Sequence, residues 1–70
     1  MLKYSTYYII EYLENRGWRY RDENYNCTAY KNGYKLINFK NCMGVVDGFN
    51  VNKKFFKTIE EAIEEAKNDV

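Results

Sequence analysis

The sequence predicts an α+β fold of the order α-β-β-β(-β-β)-α, an antiparallel meander sheet with two helices packed on one face. Three observations predict it. Apolar residues recur with helical period near both ends of the chain, and between them the period drops to two. The middle is punctuated by Asn32-Gly33 and Asp47-Gly48, dipeptides suited to two-residue hairpin turns. At 70 residues the chain is read as a single domain over 1–70, near the lower size at which one core suffices.

The first helix is expected over residues 5–16. Ile9, Tyr12, Leu13 and Arg16 share one face there, with Tyr8 beside them, while Glu11, Glu14 and Asn15 point outward. Ser5 or Thr6 caps its start, and Gly17 suits a left-handed end. Trp18, Tyr20 and Asp22 then alternate with Arg19 and Arg21, as in a strand with one covered face, and residues 22–26 read as a polar loop. Strands at 27–31 and 34–40 follow, joined by Asn32-Gly33 in a type I′ turn. That turn sets Lys31 opposite Tyr34, Ala29 opposite Leu36 and Cys27 opposite Asn38, with Tyr30–Lys35 and Thr28–Ile37 on the other face. The latter face, extended by Phe39, is read as the core side. Residues 43–46 and 49–51 pair around Asp47-Gly48, and Asn52-Lys53-Lys54 reads as a mobile connection. Thr58-Ile59-Glu60-Glu61 is a capping box that opens the last helix. Its apolar stripe is Ile59, Ala62, Ile63, Ala66 and Val70.

The chain contains no histidine and no proline but eight tyrosines, four phenylalanines and one tryptophan. Without histidine it lacks the side chain that most often serves as general acid, general base or metal ligand near neutral pH. Cys27 and Cys42 have no histidine to complete a zinc set or to activate a thiolate, and no CxxC motif is present. The expectation is a non-enzymatic protein with no metal and no cofactor. The start lacks a signal-peptide layout and no apolar run approaches a membrane span, so a cytoplasmic protein without a membrane partner is expected, as monomer or homodimer.

The formal charge of +1 conceals a split. Residues 16–57 hold nine basic side chains against three acidic ones, whereas residues 58–70 hold Lys67 against Glu60, Glu61, Glu64, Glu65 and Asp69. Two candidate surfaces follow. On the basic strands, Arg19, Arg21, Lys31, Lys35, Lys53 and Lys54 are candidate phosphate contacts, with Tyr30 and Tyr34 as stacking rings for RNA or single-stranded DNA. On the last helix, Glu60, Glu61, Glu64, Glu65 and Asp69 form an acidic surface for a basic partner. Ordinary solubility of an exposed surface is the competing account of each charge set.

The α-β-β-β-α order resembles that of double-stranded RNA-binding domains. Their second helix begins with a lysine cluster, whereas Thr58-Ile59-Glu60-Glu61 repels a phosphate backbone. The stretch Tyr12-Leu13-Glu14-Asn15-Arg16-Gly17-Trp18 is similar to the helix-to-strand passage of HicA-type RNA-cleaving toxins, whose activity rests on a histidine in the next strand. That histidine is missing here, so the activity does not carry over. Taken whole, in size, composition and lone α+β domain, the chain resembles the very small phage and mobile-element proteins of the anti-CRISPR type. That resemblance implies a protein-binding inhibitor of a host-defence nucleoprotein complex of the CRISPR-Cas kind, a larger protein or nucleoprotein partner, and action in the host cytoplasm.

Overall fold

In the computed structural model, residues 3–67 are described; Asp69 and Val70 lie outside them. The order is β1 (Tyr4–Ser5), α1 (Thr6–Glu14), β2 (Arg19–Glu23), β3 (Asn26–Tyr30), β4 (Ile37–Lys40), β5 (Val45–Val46), β6 (Phe49–Val51), β7 (Lys54–Phe56) and α2 (Ile59–Ala66). Strands β2-β3-β4-β6-β7 form one antiparallel five-stranded sheet in that spatial order, and β1 pairs with β5 in a separate ribbon. This is the α+β meander expected, with β5 drawn out of the sheet.

Helix α1 begins where Ser5 Oγ accepts the Tyr8 N–H at 3.0 Å. It ends in a Schellman closure, with Trp18 N–H donating to the Leu13 carbonyl at 2.9 Å and Gly17 N–H to that of Glu14 at 3.0 Å. Gly17, at φ +86, supplies the left-handed residue this ending requires. Arg16 is not on the apolar face as its spacing suggested. It is exposed, its guanidinium lies 3.5 Å from the centre of the Tyr12 ring, and it donates to the Tyr12 carbonyl, because the helix has already ended. The start of α1 is tied to the segment before β5. Asn41 Oδ1 accepts from Thr6 Oγ1 at 2.7 Å and from the Gly44 N–H at 3.0 Å.

Both glycine dipeptides behave differently from expectation. Asn32-Gly33 is not a type I′ turn, since only Gly33 has positive φ, and β3 and β4 pair as Ala29–Ile37, Thr28–Asn38 and Cys27–Phe39. The register is therefore one residue longer than a two-residue turn allows. The cause is the hydrophobic pattern: the short turn would put Cys27 and Ala29 on the face opposite Ile37 and Phe39, whereas the observed pairing buries all four together. Thr28 and Tyr30 consequently move from the predicted core side to the outer face. The longer connection closes on the end of α2, where Lys35 N–H donates to the Ala66 carbonyl at 2.7 Å.

Asp47-Gly48 is not a hairpin either, because Val45–Val46 pairs with Tyr4–Ser5 and β6 pairs with β4 and β7. Gly48 is needed for close approach: a Cβ there would overlap the Phe55 ring and stand 2.8 Å from the Phe56 carbonyl oxygen. The two-residue turns with both central residues at positive φ are Asn24-Tyr25, Met43-Gly44 and Asn52-Lys53. The first joins β2 to β3 within the expected loop, and the last joins β6 to β7, so the segment read as mobile is a tight hairpin.

Helix α2 is capped as its motif predicts. Thr58 Oγ1 accepts the Glu61 N–H and donates to the Glu61 carboxylate at 2.8 Å. Ile59, Ala62 and Ala66 of α2 join Ile9 and Leu13 of α1 in one cluster with Trp18, Cys27, Ala29, Ile37, Phe39, Val46, Phe49 and Val51. Both helices thus cover the same face of the sheet. Tyrosine supplies the margin of this core, with Tyr4, Tyr12 and Tyr34 half-buried against it. Strand β2 is exposed along its whole length, so its alternation marks an edge strand and not one with a covered face. Among the described residues no helix is long and apolar enough to cross a membrane.

Candidate functional site

Residues opposite one another in an antiparallel sheet point to the same side. The register therefore writes out the face that the helices leave open. Its central row runs Arg21–Thr28–Asn38–Asn50–Phe55 across all five strands, flanked by Arg19–Tyr30 on one side and Glu23–Asn26–Lys40 on the other. At the usual strand spacing this row is about 19 Å wide. The centre is hydroxyl and carboxamide, with Thr28 Oγ1 donating to Asn38 Oδ1 at 3.1 Å. Rings and cations stand around it. Phe55 is 56% exposed and Leu36, immediately before β4, 54%.

Among the described residues, adjoining depressions lie on and beside this face, four of them holding its residues. The largest, about 510 Å³, is lined by Arg21, Glu23, Thr28, Tyr30 and Leu36. The central one, about 260 Å³, has Asn26, Thr28, Asn38, Lys40 and Asn50 in its wall. Lys40 and Asn50 continue into a third with Asp47, Gly48 and Phe55, and Asn26 and Lys40 into a fourth with Tyr25 and Met43. These are shallow grooves with cations, rings and amide groups, suited to binding an extended ligand.

The expected nucleic-acid contacts divide. Arg19, Arg21 and Tyr30 converge on the open face. Lys31 does not: its Nζ donates to the Arg16 carbonyl at 2.6 Å and stands over the Tyr34 ring, so its charge serves the end of α1. Tyr34 packs edge-on against Trp18, with ring centres 5.1 Å apart, on the helix side. Lys35 belongs to the connection tied to α2, Lys53 to the β6–β7 turn, and Lys54 pairs with Glu65 at 3.6 Å. On the acidic helix, Glu61 serves the cap, Glu64 pairs with Lys67 at 2.9 Å and Glu65 with Lys54, while Glu60 is exposed. Asp69 lies outside the described residues.

The sequence reading missed Lys40, Asn26, Asn38, Asn50, Leu36 and Phe55. The signal was present. Ile37 and Phe39 are the apolar half of an alternation whose other half is Asn38 and Lys40, and Asn50 stands likewise between Phe49 and Val51. It was obscured by the turn-based register.

The Cys27 thiol is held in its neutral form. Burial pushes the Cys27 thiol up to about 11, and the charge and hydrogen bond of Asp22, directly across from it on β2, add to that effect. Cys27 is therefore a neutral core side chain at pH 7. Because its ordinary value of 9.0 returns on unfolding, the stability linked to this group is complete below pH 9.0 and is lost as pH rises towards about 11. In the folded protein a thiol reagent is expected to label exposed Cys42 rapidly and Cys27 only at the rate of unfolding. Equal labelling rates would contradict this assignment.

Fold and site together define an α+β domain with a one-sided sheet. The chain matches no family model, no curated protein and no solved structure.

Proposed function

We propose that this chain is a non-enzymatic module that binds single-stranded nucleic acid on the open face of its sheet. What supports the reading is the composition of that face. Arg19, Arg21 and Lys40 supply cations against Glu23 on the strands and Asp47 at the rim, the latter paired with Lys3, and Tyr30 and Phe55 offer ring faces on either side of an amide-lined centre. Cations follow a phosphate backbone, rings stack on unpaired bases, and carboxamides hydrogen-bond to base edges. The cluster Glu60, Glu61, Glu64 and Glu65 lies on α2, across the core from this face, where it does not repel a polyanion held on the sheet.

A second reading, a protein-binding inhibitor of a nucleoprotein complex, is favoured by Leu36 and Phe55. Exposed apolar side chains beside arginine are also the makings of a protein interface. Its contact is better placed on this same face than on the acidic helix, whose carboxylates Glu61, Glu64 and Glu65 already have partners within the chain.

The test is fluorescence anisotropy with labelled single-stranded DNA and RNA across a range of salt. Three phosphate contacts give an expected slope of about −2 in log K against log salt, at about −0.7 per contact, with binding on the order of micromolar. Absence of binding at low salt would overturn the reading, as would equal affinity for duplex, which offers no unpaired base.

A further inference from the structure

The turn joining β2 to β3 holds a tyrosine where a glycine would be at ease. Tyr25 sits at φ +70, directly after Asn24 at +50. In this left-handed region a bulky side chain is a genuine outlier. Nothing in the core offsets the strain: Tyr25 is 69% exposed, and among the described residues no ring packs against it. It is held by its backbone, the Asn41 N–H donating to the Tyr25 carbonyl at 2.8 Å. Beside it a second left-handed turn carries Met43 at φ +54 and 97% exposed. The two side chains wall a groove of about 420 Å³ whose remaining lining includes Asn26 and Lys40. Those two residues also line the central depression of the open face, so the groove continues that face past the ends of β3 and β4.

Strain of this kind persists where the surrounding structure over-determines the backbone, as the two strands and the Asn41 bond do here, and it recurs at ligand-binding sites. Resting on the reading of the open face as a single-strand platform, we propose that Tyr25 is the terminal stacking residue of that platform. The last base of the bound strand lies on the Tyr25 ring against Met43, and Lys40 meets the adjoining phosphate. The occupant is the same nucleic-acid strand because the groove is continuous with the face through Asn26 and Lys40, and Lys40 brings the complementary charge.

The proposal makes stability and binding move in opposite directions at one residue. Tyr25→Gly relieves the left-handed backbone and is expected to raise the thermal midpoint by roughly 4–8 °C. The same substitution is expected to weaken binding of a labelled oligothymidylate of about 12 nucleotides roughly 5- to 10-fold or more. Tyr25→Phe keeps both ring and strain and is expected to change neither. A Tyr25→Gly protein that binds the probe as tightly as the parent overturns this proposal and leaves the open face standing. A parent protein that does not bind the probe overturns both.

Discussion

Replacing Tyr30 and Phe55 together by leucine is expected to remove most of the affinity for single-stranded oligonucleotides while leaving the fold in place. Each base stacked on an aromatic side chain contributes about 1–3 kcal/mol, so each ring lost is expected to weaken binding by about 5- to 150-fold. Leucine is chosen over alanine for a structural reason. The Phe55 ring closes over Gly48, and leucine keeps apolar cover there while removing the flat face that a base needs. The same choice separates the two candidate partners, since a protein interface that uses these positions for buried apolar area tolerates leucine far better than a stacked base does. Anisotropy for affinity and circular dichroism for fold check the result. Unchanged affinity in a folded double variant would mean that neither ring carries a base.

Phe49→Ala is expected to unfold the domain. Phe49 is fully buried at the centre of the aromatic cluster, with its ring centre 5.7 Å from that of Phe39 and 5.6 Å from that of Tyr4, and it is paired across strands with Phe56. Truncating a buried phenylalanine costs about 3–5 kcal/mol. A core of this size supplies about 3–5 kcal/mol of net stability, so one substitution consumes it. A thermal scan of the variant is expected to show no cooperative transition above room temperature. A sharp transition within a few degrees of the parent would mean that the core lies elsewhere. The contrast with Phe55, a few residues along and on the other face, shows that chemically identical side chains in one hairpin hold the fold in one case and stand exposed on the open face in the other.

What was legible in the sequence was whatever depended on local chemistry. The Thr58 cap, the Gly17 ending of α1, the apolar stripe of α2 from Ile59 to Ala66 and the alternation of Ile37 with Phe39 are set by residues within a turn or two of one another, and each is where its spacing put it. The register of β3 against β4 was not legible, because a strong local turn signal at Asn32-Gly33 competed with the burial of Cys27 and Ala29, and burial decided. That slip of one residue hid half of the candidate face, for it turned Thr28 and Tyr30 inward. The tight turns at Asn24-Tyr25 and Asn52-Lys53 were hidden for a different reason. Left-handed tyrosine and lysine are rare enough that no propensity points to them, and only the pairing of the flanking strands reveals them. The pairing of Lys31 with the end of α1 joins residues fifteen apart and rests on the fold alone.

The measurement that bears most directly on the open face as the working surface is a titration of ¹⁵N-labelled protein with a single-stranded oligonucleotide, followed by amide chemical shifts at low and moderate salt. The expected result is saturable shifts confined to Arg21, Thr28, Tyr30, Asn38, Lys40 and their neighbours on the open face, reduced as salt rises. Shifts centred on α2 around Glu60 and Glu64, or no saturable shift at any salt, would contradict it.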